Sequence, residues 1–192
     1  MKEITIKVPD GKKAVWAEDG KLTLVDDKPE QKKPVTERIK TFDDAVEELS
    51  QRASDGDDRA NQLLEDWNEC TTDSPDLIAF IQLRIIAAAL NEGWEPQFTK
   101  GERRWFPWFS LYTKEEIDKM NDGSRVALRS SYDANTYGGV AYVSAVFDSS
   151  YTLTVYGSRL AFKTEAIAVY AGKQFIEIWA DFVFKPKEEN NG

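Results

Sequence analysis

The chain has 192 residues, 41 % hydrophobic and 31 % charged, a composition that suits one soluble domain of ordinary size with a small appendage. Its 6 Trp, 7 Tyr and 10 Phe exclude a disordered chain, and a single cysteine, Cys70, excludes an intrachain disulfide scaffold. Histidine is absent altogether, which removes a Ser-His-Asp triad, a Cys-His pair, a His-ligated metal and a histidine pH switch.

The formal charge of −9 is uneven: residues 1–99 carry 13 Lys+Arg against 22 Asp+Glu, and residues 100–192 carry 12 of each. Between Phe42 and Asp76 twelve acids meet only Arg52 and Arg59, a run that a solvated helix face explains. An acidic chain repels the phosphate backbone, so generic nucleic-acid affinity is not expected. The alternation from Met1 to Pro9 does not read as a signal peptide. The longest apolar stretch, Leu77 to Leu90, is interrupted by Gln82 and Arg84 and is too short for a bilayer, so no membrane association is expected. A lone thiol without an export signal fits the cytoplasm, or a particle assembled there.

Taken in chain order, Ile4, Ile6 and Val8 alternate as a strand, and Pro9-Asp10-Gly11-Lys12 reads as a turn. Ala14 to Ala17 and Leu22 to Val25 flank an Asp-Gly hairpin signal, so residues 1–26 predict a three-stranded β-meander with too little core to stand alone. Residues 27–35 read as a polar linker. Thr41 caps a helix through Leu49, a shorter helix covers Asp58 to Trp67, and Ser74-Pro75 opens a helix to Asn91. That helix is apolar on nearly every face and is the candidate central core element, with Gly93 as its stop. Arg84 within it must reach water or an acid. Trp94 to Phe109 reads as extended and irregular, and Thr113 with Glu116 forms a capping box. Arg125 to Ser130, Gly139 to Phe147 and Tyr151 to Phe162 read as strands, the last two as a hairpin with a β-bulge at Gly157. Thr164 caps one final helix carrying Ile167, Ala171, Phe175, Ile178 and Phe182, and residues 185–192 form a polar tail.

Five blocks in order carry a resemblance: Arg38 to Phe42 (RIKTF), Ala89 to Pro96 (ALNEGWEP), Trp105 to Phe109 (WFPWF), Tyr156 to Thr164 (YGSRLAFKT) and Ala171 to Phe175 (AGKQF). Over residues 36–184 the chain resembles a family of uncharacterised proteins common in phages, prophages and mobile elements of Bacteroidetes. The resemblance implies a phage or mobile-element context. It transfers no catalytic or ligand-binding residue, and the N-terminal meander lies outside it.

Arg103, Arg104, Trp105 and Trp108 mix guanidinium groups with rings, the pairing that stacks single-stranded bases while holding phosphate. Arg125, Arg129, Tyr132, Tyr137 and Arg159 would widen such a surface. The competing expectation is that the rings fill the gap between sheet and helices while the arginines reach past them to water. Ser130 to Gly139 reads as a polar loop with two tyrosines, a type that connects hairpins and can also hold sugars or peptides. Adjacent acids such as Asp43-Asp44 and Glu47-Glu48 point in different directions on a helix, and their polar setting does not favour acid–base catalysis. Cys70 has no base or cation nearby in sequence.

The sequence therefore predicts an α+β fold, an antiparallel sheet from residues 108–162 packed against the Leu77–Asn91 and C-terminal helices. The divisions are meander 1–26, linker 27–35, α+β domain 36–184 and tail 185–192. The function expected is that of a non-catalytic interaction or structural protein, not an enzyme, using no cofactor and no metal. Its partner is a protein or a second copy, met through a sheet edge or the meander. Single-stranded nucleic-acid binding is the alternative, and a carboxylate-based enzyme acting on carbohydrate is the third.

Overall fold

A computed structural model of the chain describes residues 6–17, 19–26, 32–97, 99–119, 127–130, 137–148 and 158–184. The chain divides into two compact units, Met1–Lys33 and Pro34–Gly192.

In the first unit, β1 (Lys12–Trp16) pairs antiparallel with β2 (Leu22–Asp26), setting Trp16 opposite Leu22 and Lys12 opposite Asp26. The Asp-Gly signal holds: the Gly20 N–H donates to the Ala17 carbonyl at 2.9 Å, and Gly20 takes φ 78°. The expected three-stranded meander is corrected to two strands. Residues 6–9 lie outside the sheet, and the start of the expected strand lies outside the described residues. The intervening turn explains this. The Lys12 N–H donates to Pro9 O, and among its central residues only Gly11 is left-handed, at φ 76°. That is the type II pattern, whose twist splays flanking strands instead of pairing them.

The second unit begins with α1 (Val35–Arg38) and α2 (Phe42–Ser54). Thr41 and Asp44 form a complete capping box on α2, each side chain accepting from the other's backbone N–H. Asp57 caps α3 (Asp58–Asn68), and proline at the first helical position opens α4 (Pro75–Leu90). Arg84 finds its acid in Asp66, 3.0 Å away. Beyond α4, Glu92 and Gly93 both take positive φ, 49° and 87°, and turn the chain out of the helix.

The segment after Gly93 is irregular only at first. From Arg104 it becomes β3 (Arg104–Thr113), which correction extends the sheet toward the N-terminus. The proline at 107 does not break it. Trp105 exchanges both backbone hydrogen bonds with Phe162, so its N–H points away from the β5 (Tyr137–Asp148) side. Pro107, two residues on, shares that orientation, and its missing N–H costs no bond to β5. A register shift between Trp108 and Phe109 marks a bulge in the β3–β5 ladder. After α5 (Lys114–Asp118), capped by the Thr113–Glu116 box, β4 (Ala127–Ser130) completes the order β3–β5–β4 among the described residues.

Tyr137 and Gly138, expected in a loop, belong to β5, where Tyr137 pairs with Ser130. The strand expected from Tyr151 to Phe162 is also corrected. Ser158–Leu160 is a 3₁₀ turn, and Phe162 makes a single bridge to Trp105. Leu160, Ala161 and Phe162 are all buried, a run that two-residue alternation cannot produce. Residues 151–157, with the bulge expected at Gly157, lie outside the described residues.

The expected final helix is two: α6 (Glu165–Gln174), capped by Thr164, and α7 (Ile176–Val183). They divide at Phe175, where φ −107° and ψ 31° leave the helical region. The break turns Ile176, Trp179 and Ala180 inward, and Trp179 becomes a fully buried core residue. The layers follow from these contacts. Helices α2, α3 and α4 pack together, α7 lies against α4, and α6 and α7 cover the sheet. Thus α4 meets α7, and the C-terminal helices, not α4, lie on the strands.

Candidate functional site

The arginine and aromatic segment divides between interior and surface. Arg104 is 1 % exposed and Phe106 is equally buried, so neither meets a ligand from solvent. Trp105 is half-buried, its ring 5.0 Å from that of Phe147, and the Arg103 guanidinium lies 4.8 Å above the same Phe147 ring. Trp105, Phe147 and Arg103 therefore satisfy one another, with the charge held over a ring face. Trp108 is 50 % exposed. Phe109 packs on Trp179 at 5.5 Å and on Tyr142 at 6.1 Å. Arg129 and Tyr137 lie on the paired strands β4 and β5, Arg125 and Tyr132 fall outside the described residues, and Arg159 lines a different cleft, among α2, α3 and α4. Of the nine residues singled out in the sequence, Arg103 and Trp105 meet at the Phe147 ring, and Trp108 reaches water farther along β3.

Four of the five quoted sequence blocks are joined by one polar clamp. Asn91 is buried at the end of α4, where its amide donates to Ala161 O at 2.8 Å and accepts from the Lys163 N–H at 3.0 Å. Next to it, Glu92 receives Lys163 at 2.8 Å and Arg38 at 2.7 Å, and Arg38 also pairs with Glu48. Tyr170 donates to Ile39 O at 2.6 Å and Gln174 to Lys40 O at 2.7 Å. These polar residues hold the chain to itself, which explains their pattern without a ligand. Sequence reading placed them in motifs but had no means to pair them, because, Arg38 with Glu48 apart, their partners lie 54 to 134 residues away.

The perturbed carboxyl groups serve the same end. The Lys163 ammonium, then the Arg38 charge, holds Glu92 below its usual range. The Ala60 N–H, then Arg52, lowers Asp57, and backbone N–H groups of Lys40 and Thr41 lower Asp44. Each is kept ionised as an acceptor, the opposite of the raised pKa a general acid needs. Among the described residues no group of three or more His, Cys, Asp or Glu could hold a metal ion. No described helix is long and apolar enough to cross a membrane.

The hairpin differs from the rest of the chain. Every residue of β1 is exposed, and all of β2 but Leu22. Trp16 is 71 % exposed, and Val15, Leu24 and Val25 also face water. The strand register sets Ala14, Trp16, Leu22 and Leu24 on one face and Val15 and Val25 on the other. Both faces thus carry exposed apolar side chains. The chain matches no protein-family model, and comparison with curated proteins and with solved structures yields no match.

Proposed function

We propose that this is a non-catalytic interaction protein of phage or mobile-element origin whose β1–β2 hairpin binds a second copy of the chain. One observation carries the reading: a two-stranded hairpin exposing Val15, Trp16, Leu24 and Val25 to water. A hairpin alone is marginal at best, and it gains stability by adding strands or by burying an apolar face. An exposed strand edge together with exposed apolar side chains marks a pairing surface.

Charge favours a second copy. Residues 1–33 carry 8 Lys against 7 acids, while residues 34–192 carry 17 Lys+Arg against 27 acids. Two hairpins therefore meet without the repulsion that two acidic bodies would feel. Antiparallel pairing of β1 with its own copy about Ala14 brings Lys12 beside Trp16 of the other chain and sets no like charges opposite.

Sedimentation velocity of the full chain over a wide concentration range tests this. A species of twice the 21.8 kDa chain is expected to grow with concentration, and Trp16→Asp is expected to abolish it. A mass of 21.8 kDa throughout would remove the proposal.

A further inference from the structure

We infer that a cleft walled by α2, α3, α4 and the 3₁₀ turn binds a small tetrahedral oxyanion, a phosphate or the phosphoryl end of a monoester. Four arginines from four elements line it, Arg52, Arg59, Arg84 and Arg159, together with Asn91 and Trp94. The cavity is about 30 Å³, which admits a group of a few heavy atoms and nothing as large as a nucleoside.

Donor accounting separates the four. Arg52 is committed to the fold, donating through Nε to Asp57 at 3.0 Å and through Nη1 to Ala88 O at 2.8 Å, where it satisfies a carbonyl at the end of α4. Arg59 pairs with Glu95 through Nε, which leaves both terminal nitrogens of its fork unspent. Arg84 gives one terminal nitrogen to Asp66, but its Nε is buried and reaches no acceptor. Arg159 is exposed and makes no hydrogen bond or ion pair among the described residues. Three carboxylates thus answer four guanidinium groups.

Four guanidinium charges against three carboxylates leave positive charge that an anion in the cleft neutralises, and the terminal nitrogens of Arg59 and the fork of Arg159 are the donors left to hold it. Carboxylate presents two coplanar oxygens and suits a single arginine fork. A tetrahedral oxyanion presents oxygens in several directions, which suits donors arriving from separate elements. The site is independent of the hairpin, so it stands or falls apart from self-association.

Inorganic phosphate titrated into the full chain at constant ionic strength, followed by ¹H–¹⁵N NMR, tests the assignment. Saturable shifts are expected at the Trp94 indole N–H, the Asn91 and Gly93 amides and the Arg84 Nε–H, while malonate in place of phosphate produces none. Arg159→Gln, which removes an exposed side chain with no partner among the described residues, is expected to weaken phosphate binding about tenfold or more. Arg103→Gln, a charge outside the cleft, is expected to leave binding unchanged. The inference is overturned by any of three results: no saturable shift at millimolar phosphate, equal binding of malonate, or equal weakening by Arg103→Gln.

Discussion

Asn91 occupies the first position beyond α4, where helix carbonyls lack partners, and its amide spans to residues 161 and 163 with one donor and one acceptor bond. Truncation leaves a buried carbonyl and a buried N–H without their partner. Asn91→Ala is therefore expected to cost about 2–3 kcal/mol in urea unfolding. Beside it, Glu92 and, at the cap of α3, Asp57 govern the acid limb of stability. Their folded pKa values are lowered from 4.5 and 3.8, so the stabilisation is present above those values and is lost as pH falls below them. The melting temperature is expected to stay level from neutrality to about pH 5 and then to fall, since no histidine titrates between. Glu92→Gln should lower the plateau and flatten the acid slope. An unchanged slope in that variant would remove Glu92 from the account.

Two helix positions test how the elements are packed. Glycine to alanine within a helix ordinarily stabilises by about 1 kcal/mol. At Gly172 in α6 a Cβ would stand 2.6 Å from the Tyr142 ring and 2.7 Å from Pro107 Cβ, both on the sheet beneath. Gly172→Ala is expected to reverse the usual sign and destabilise by about 1–3 kcal/mol, measured by chemical denaturation. Phe175→Asp places a charge at a buried position and is expected to unfold the second unit; a soluble, cooperatively melting variant would refute the assigned face. Helices with end signals were legible in the sequence: Thr41, Thr113 and Thr164 each cap the helix they announce. Two errors share a cause, the extension of one period too far. The ladder Ile167, Ala171, Phe175, Ile178, Phe182 runs through a break that turns Ile176, Trp179 and Ala180 fully inward and leaves Ile178 and Phe182 partly buried against the core. Alternation at Leu160 and Phe162 suggested a strand where tertiary burial also claims Ala161. Pro107 and the crowded rings concealed β3, because a proline facing away from its neighbouring strand leaves the ladder intact.

At the scale of the molecule, the buried apolar core among the described residues runs from Val35 to Ala180, with Phe182, Val183 and Phe184 packed against it. A chain beginning at Pro34 is therefore expected to fold and melt cooperatively, with a melting temperature close to that of the full chain, as followed by circular dichroism. No described residue of the hairpin is buried, which suits a segment stabilised by another chain. The candidate surface was only partly legible, since the sequence indicates which residues are aromatic or basic but not which of them satisfy each other. Arg104 enters the interior, Arg103 and Trp105 share the Phe147 ring, and Arg159 joins arginines whose sequence positions gave no hint of convergence. The sequence predicts a three-stranded meander with too little core to stand alone, and the same shortage of core in the two-stranded hairpin underlies its proposed role. Hydrogen exchange of the Ala14 amide, which points away from β2 and toward the proposed partner strand, measured on the full chain across a dilution series, tests this most directly. Protection that rises with protein concentration and vanishes in Trp16→Asp is the predicted result. Protection independent of concentration and unchanged by that substitution would contradict it.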